Sequence, residues 1–129
     1  MARFTKGELD VMQILWGLGE LKPPEIQDKF PRQIKNSALR SYLTILLEKG
    51  HVTRRRVGKA YFYKARTPKG PVFRSMLRDM VDTFFNGSKE ALLCRLIRSE
   101  NLSEKELIEL RKLAEENAEE PSQDKGRGK

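Results

Sequence analysis

The sequence is poor in the residue types from which metal sites, disulfides and many catalytic centres are built. Its 129 residues include one Cys and one His, too few for an intramolecular disulfide or the ligand set of a structural zinc ion. It also lacks a glycine-rich phosphate loop and the nucleophile motif of hydrolases. We therefore expect a protein that is not an enzyme and that needs no catalytic residues, metal or cofactor.

Long apolar segments are missing as well. No stretch approaches the roughly 20 apolar residues that cross a bilayer, and the first residues lack the apolar run of a secretory signal. The scarcity of cysteine fits a reducing compartment. We expect a cytoplasmic protein without membrane insertion, whose length allows one ordinary domain or two very small ones.

The basic residues are concentrated in one half of the chain. Residues 1–70 hold 15 Lys and Arg against 6 Asp and Glu, whereas residues 71–129 hold 11 against 12. The overall net charge of +8 therefore divides into +9 and −1. Between residues 29 and 69, Glu48 is the single acid beside 12 basic residues. A localised basic face indicates a module that binds a polyanion, joined to a neutral part with another role.

Two helices are predicted in the first 31 residues. Thr5 and Glu8 have the spacing of a capping box, and the helix they begin runs through Trp16 to the glycines at 17 and 19. Trp16 lies on the apolar stripe, so we expect it in the core. Residues 22–30 form a second, short helix, since proline is tolerated in a first turn and Pro31 ends the segment.

A third helix, from Asn36 to Lys49, has an apolar and a polar face. Its apolar residues recur at i, i+3, i+4, i+7 and i+8, as in an amphipathic helix. The opposite face is small, polar and basic near its N-terminus, so it can enter a major groove closely, and arginine can reach a guanine edge. An ordinary solvated helix face is the alternative at this point. The predicted DNA-reading residues are Asn36, Ser37, Arg40, Ser41 and Thr44.

A basic hairpin follows this helix. Residues 51–57 and 60–66 are rich in strand-forming residues, and Gly58–Lys59 fits a two-residue II′ turn. Tyr61 and Tyr63 share one face, for which core packing is the favoured interpretation. Three helices and a basic hairpin are the order of a winged helix-turn-helix, whose third helix reads the major groove while the hairpin approaches the backbone or minor groove. Consecutive strand residues alternate sides, so the predicted wing contacts are Arg54, Arg56 and Lys59.

The second half of the chain is predicted to form three helices that bury little by themselves. After a break at 67–71, apolar residues recur at helical spacing to residue 85, and two shorter helices follow. A twofold partner would cover their apolar stripe. The predicted dimerisation residues are Phe73, Met76, Leu77, Met80, Val81, Phe84, Leu92, Leu96, Leu107 and Leu110.

The expected fold is thus mainly α with one small β-hairpin. We expect a winged-helix DNA-binding domain at 1–69, a helical dimerisation domain at 70–118 and a disordered tail at 119–129. Two such domains on a twofold axis predict a homodimeric repressor on a palindromic operator in double-stranded DNA. Two alternatives stay open, namely a regulator controlled by a small ligand at the dimer interface and a winged-helix module that binds proteins.

Four motifs lie in register along the chain, at Thr5–Trp16, Leu47–Val52, Gly58–Tyr63 and Leu102–Arg111. They resemble the first helix, the end of the recognition helix, the wing and the final helix of the penicillinase-repressor family of bacterial winged-helix regulators. The resemblance covers roughly residues 4–113, nearly the whole ordered chain. The resemblance implies a homodimeric repressor on a dyad operator, dimerised through its C-terminal helices.

The resemblance also implies a sensor protease as partner, which in the family's best-known members cleaves the dimerisation domain. The bond that aligns with the family's cleaved Asn–Phe bond is Arg95–Leu96. A second difference lies in the recognition helix, which begins with Asn36 and Ser37 where the family is usually rich in threonine. The operator sequence and the proteolysis therefore do not transfer directly from the family.

Overall fold

The computed structural model describes residues 4–117, which form six helices and one two-stranded antiparallel hairpin. The chain divides into two compact units between Pro68 and Lys69. The mainly helical fold with one hairpin is confirmed, and the predicted tail at 119–129 lies outside the described residues. The elements are α1 (Lys6–Leu18), α2 (Pro23–Lys29), α3 (Asn36–Glu48), β1 (Val52–Val57), β2 (Ala60–Ala65), α4 (Lys69–Phe85), α5 (Lys89–Ser99) and α6 (Glu104–Glu116).

Both ends of α1 have the predicted caps. Thr5 Oγ1 accepts a hydrogen bond from the Glu8 N–H at 3.3 Å, and Glu8 Oε1 accepts one from the Thr5 N–H at 3.0 Å. The Glu8 side chain is buried. The hydrogen bond from the Thr5 N–H therefore also gives this buried side chain a polar partner. Gly19 ends the helix with φ 86°, and its N–H bonds to the Leu15 carbonyl.

The core of the first unit is a single apolar cluster to which all three helices and both strands contribute. Trp16 packs against it as predicted, and its indole N–H donates to the Thr67 carbonyl oxygen at 2.8 Å. The inward-facing residues of α2 and α3 are those that the helical spacing predicts. The cluster consists of Val11, Met12, Leu15, Ile26, Phe30, Leu39, Leu43, Leu46, Val52 and Tyr63.

The hairpin is joined to the helices by a third extended segment. Its two strands pair from Val52 opposite Ala65 to Val57 opposite Ala60. Leu21, between α1 and α2, exchanges two backbone hydrogen bonds of 2.9 and 2.8 Å with Tyr63. This bridge pairs β2 on its second side and fixes the hairpin against the helical core. Three helices with a hairpin attached in this way form a winged helix-turn-helix.

The second unit is a chain of helices with little interior. Among the described residues of α4, Gly70 and Val72 are buried, and none is buried in α5 or α6. The predicted break at 67–71 is wrong at its end, because α4 begins at Lys69. Pro71 lies in its first turn, where a backbone N–H has no intrahelical partner to lose. No helix in the described part of the chain is long and apolar enough to span a membrane.

Candidate DNA-binding interface

The polar face of α3 is solvent-exposed along its whole N-terminal half. The apolar residues of the opposite face are anchored in the core, so packing fixes which side of α3 faces outward. The structure brings the five predicted reading residues together on one surface. Asn36, Ser37, Arg40, Ser41 and Thr44 are all exposed.

Two hydrogen bonds order this surface. Arg40 Nε donates to Asn36 Oδ1 at 2.8 Å, and Ser41 Oγ donates to the Ser37 carbonyl oxygen at 3.1 Å. The Arg40 bond uses neither of the terminal guanidinium nitrogens, which are the atoms that pair with the O6 and N7 of guanine. Asn36 therefore orients Arg40 through a bond that leaves both terminal nitrogens of Arg40 unused. The spacing of four residues signals this pairing in the sequence.

The arginines on the two faces of β1 have different partners. Arg55 Nε and Nη2 donate to the Glu20 carboxylate at 2.8 and 3.0 Å. The hydrogen bond from Arg55 holds the pKa of Glu20 below its ordinary value. The negative charge of Glu20 offsets the positive charge of Arg55, so this ion pair attracts a DNA phosphate less than an unpaired arginine does. Arg55 was not among the predicted wing contacts.

Arg54 and Arg56 lie on the other face of β1 with Tyr61. The Arg54 and Arg56 guanidinium carbons lie 4.3 and 5.7 Å from the centre of the Tyr61 ring. Tyr61 is 36% exposed, so its predicted core position is wrong, whereas Tyr63 is buried as predicted. A tyrosine near the hairpin tip is covered by the long side chains of neighbouring arginines instead of by helices. The alternation of strand residues signals that Tyr61 and Tyr63 share a face but not how far the core extends.

Lys59 is exposed in the turn of the hairpin. Gly58 has φ 62°, which a II′ turn requires at its first central position and which glycine adopts without strain. The three predicted wing contacts, Arg54, Arg56 and Lys59, are thus all exposed on the hairpin.

His51, at the base of the hairpin, is held from three sides. Its Nδ1 lies 2.8 Å from Thr67 Oγ1, and its ring packs against Phe4 with centroids 4.6 Å apart. Its backbone carbonyl oxygen accepts hydrogen bonds from the N–H groups of Arg66 and Thr67. Partial burial, followed by the charge of Lys49, lowers the pKa of His51, while Glu8 acts in the opposite direction. These contacts give His51 a structural position.

The second unit leaves a large apolar surface uncovered. Most of the predicted dimerisation residues are exposed, Phe84 most of all at 74%, and the half-buried ones are Val81, Leu92 and Leu107. Three further exposed apolar residues were not among those predicted, namely Leu93, Ile108 and Leu113. The aligned bond Arg95–Leu96 lies inside α5, and both of its side chains are exposed. Among residues 4–117 no group of three or more His, Cys, Asp and Glu side chains is placed to hold a metal ion.

A family model described as penicillinase repressor matches residues 4–116. The chain belongs to the penicillinase-repressor family. This confirms the resemblance drawn from the four motifs. As a member of that family with a winged-helix fold, this repressor is a DNA-binding transcriptional regulator.

Individual relatives of this penicillinase-repressor family member agree over most of its length. It is 24% identical over 109 residues to the penicillinase repressor of Staphylococcus aureus, an alignment that covers 83% of this chain and 86% of that relative. It is 20% identical over 117 residues to the penicillinase repressor of Bacillus licheniformis, covering 89% and 91%. The X-ray structure of the YusO protein from Bacillus subtilis superposes with a TM-score of 0.53 at 22% identity, covering 90% of this chain and 75% of that one. That similarity supports the fold alone.

Proposed function

We propose that this repressor binds a palindromic operator as a homodimer, with α3 in the major groove and the hairpin on the DNA backbone. The observation that carries the proposal is the ordered polar face of α3, where Asn36 directs Arg40 outward from a helix anchored in the core. Ser37, Ser41 and Thr44 are small enough to let the helix approach base edges. Two copies related by a twofold axis would place this face in successive major grooves.

The second unit supports the homodimer. Its apolar residues form a stripe along α4 and continue on α5 and α6, yet nearly all of them contact water in the single chain. Soluble monomers rarely leave so many apolar side chains together on the surface. A second copy presents the same stripe, so a twofold interface can bury both.

The first experiment identifies the operator. Selection from random duplexes followed by footprinting should give a palindrome whose half-site centres lie about 10 bp, or a multiple of that, apart. Binding without any discrete protected palindrome would instead favour the protein-docking alternative, whose acidic partner would meet the same basic face.

Arg40→Ala tests which face reads sequence. It should cost about 1–3 kcal/mol of operator binding and relax the preference at one base pair in each half-site. Asn36→Ala, which removes the Arg40 partner, should cause a smaller loss at the same base pair. Arg111→Ala on α6 is the control and should change neither. An unchanged base preference in Arg40→Ala would remove Arg40 from the reading surface.

Phe84→Glu tests the dimer interface. Sedimentation should show a monomer, and binding to the full palindrome should fall to that of a half-site. Asp82→Lys changes more charge at an exposed residue on the side of α4 opposite the apolar stripe by helical spacing, and it should remain a dimer. Two variants that dissociate equally would refute an interface on this stripe.

We further propose that cleavage in the second unit relieves repression. The support is that Arg95 and Leu96 are exposed on a helix without buried residues, because such a helix opens at low cost to fit a protease. Mass mapping of the repressor from induced cells should find a cut within α5. An intact chain whose operator affinity falls on addition of a small molecule would favour the ligand-controlled alternative.

A further inference from the structure

Tyr61 contacts two cations at once. Arg54 lies over its ring at 4.3 Å, and Arg56, its direct cross-strand partner, lies at 5.7 Å. Both distances are within the range of cation–π attraction, which holds a guanidinium against the face of an aromatic ring. The one ring therefore restrains both guanidinium groups, and two positive charges are held around it.

Each of these arginines makes one further hydrogen bond, and each bond is to a neutral oxygen. Arg54 Nη1 donates to the Tyr63 hydroxyl at 3.2 Å, and Arg56 Nε donates to the Gly58 carbonyl oxygen at 2.9 Å. The bond to Tyr63 raises the pKa of Arg54. Both side chains are thus oriented, and within residues 4–117 neither of them pairs with a carboxylate.

Arg55 shows the contrast on the same strand. Its guanidinium also lies near an aromatic ring, that of Phe62 at 5.4 Å, but it is paired with the Glu20 carboxylate. Arg55 is therefore paired with a carboxylate on one face of the hairpin, whereas Arg54 and Arg56 on the other face have no carboxylate partner among residues 4–117. A guanidinium group can bind the oxygens of a phosphate diester through two parallel hydrogen bonds.

We propose that Tyr61 is a positioning residue whose ring holds Arg54 and Arg56 together as a clamp for a DNA backbone phosphate. The inference deepens the proposed function, on which it rests. An exposed arginine loses side-chain entropy when it binds a phosphate, and the ring restricts both arginines before DNA arrives. The clamp contacts the backbone alone, so it acts equally on every sequence.

The test compares Tyr61→Leu with Tyr61→Phe on a random-sequence duplex and on the selected operator. Tyr61→Leu removes the aromatic face and should weaken binding to both duplexes by about 5- to 30-fold. The slope of log K against log salt should become shallower by about one, since one phosphate is no longer neutralised. Tyr61→Phe keeps the aromatic face and should stay within about two-fold of the native protein.

Matched substitutions along β1 supply the controls. Arg54→Gln and Arg56→Gln should each make the salt slope shallower, and adding Tyr61→Leu to either should cost less than it costs alone, because the ring acts through these cations. Arg55→Gln changes the same charge on the opposite face and should leave the slope unaltered. Thermal unfolding of each variant separates loss of the clamp from loss of the fold.

Three results would overturn the proposal: a native salt slope in Tyr61→Leu, an equal loss in Tyr61→Phe and Tyr61→Leu, or no DNA binding by the native protein. The second would assign the effect to the tyrosine hydroxyl. Failure of the palindrome is a different outcome, because the clamp is measured on random duplex. If the native protein binds random duplex with the predicted Tyr61 dependence but selects no operator, the clamp stands while the proposed function fails.

Discussion

Gly7 in α1 and Tyr42 in α3 approach so closely that no side chain fits at residue 7. A β-carbon there would overlap the Cζ, Cε2 and hydroxyl atoms of the tyrosine ring. Gly7 is buried and Tyr42 packs against the apolar cluster. The separation of α1 from the candidate recognition helix at this point therefore depends on the absence of one methyl group.

Gly7→Ala should lower the free energy of unfolding by about 1 kcal/mol, because overpacking outweighs the better helix propensity of alanine. Gly17→Ala is the matched control in the same helix, where a β-carbon has no neighbour within 4 Å, and it should raise stability by about 0.5–1 kcal/mol. Urea denaturation measures both. In a Tyr42→Leu background, Gly7→Ala should lose most of its destabilising effect. If Gly7→Ala and Gly17→Ala are equally stable, the Tyr42 ring adapts to the added methyl group without cost.

The stability of the repressor should fall as the pH drops below the ordinary histidine value of 6.5. Burial lowers the pKa of His51 in the fold, so the unfolded chain takes up the proton first, and protonation favours unfolding until the lower folded pKa is passed. More than about one pH unit above 6.5 this group contributes no slope. Because His51 is the one histidine in the sequence, His51→Gln should flatten the change between about pH 7.5 and about pH 5.5. A variant that keeps the full slope would assign it to other groups.

Thr67→Val should destabilise the first unit by about 1 kcal/mol. The substitution keeps the side-chain shape but removes the hydroxyl that meets His51 Nδ1 at 2.8 Å. The Trp16 bond to the Thr67 carbonyl oxygen is a backbone contact and should survive. Chemical denaturation measures the loss. If the hydroxyl bond matters through His51, Thr67→Val placed on His51→Gln should cost less than on the native protein.

Lys59→Ala should weaken binding to all duplexes by a similar factor and make the salt slope shallower by about 0.9, as expected for one lost phosphate contact at the tip of the hairpin. The control is Lys105→Ala, an exposed lysine on α6, which should leave affinity and slope unchanged. Loss restricted to one operator would mean that Lys59 reads sequence instead of backbone.

Much of this architecture was predictable because it depends on neighbours in the chain. Three local features were predicted from hydrogen bonds and dihedral angles within a few residues. They are the capping box of Thr5 and Glu8, the end of α1 at Gly19 and the turn at Gly58. The exposed polar face of α3 was predictable too, since helical spacing separates it from the apolar residues. The start of α4 was missed because a proline in a first turn looks like a break.

Contacts between distant residues were not predictable. Nothing near Arg55 indicates that Glu20, 35 residues earlier, neutralises it, and nothing near Thr67 indicates the bond from Trp16. The same holds for Gly7. Glycine is disfavoured inside a helix, and only the packed structure shows that the Tyr42 ring occupies the space of a β-carbon at residue 7. These features need the packed helices, which bring the partners together.

By itself the sequence determined where the helices and strands lie, which faces are apolar and that the positive charge belongs to the first unit, because periodicity, capping and composition are local properties. The tertiary structure alone decided which one of three consecutive arginines is paired with a carboxylate. That choice depends on a carboxylate placed across the fold from Arg55 and on an aromatic ring beside Arg54 and Arg56, and electrostatic pairing acts over ångströms of space regardless of separation along the chain.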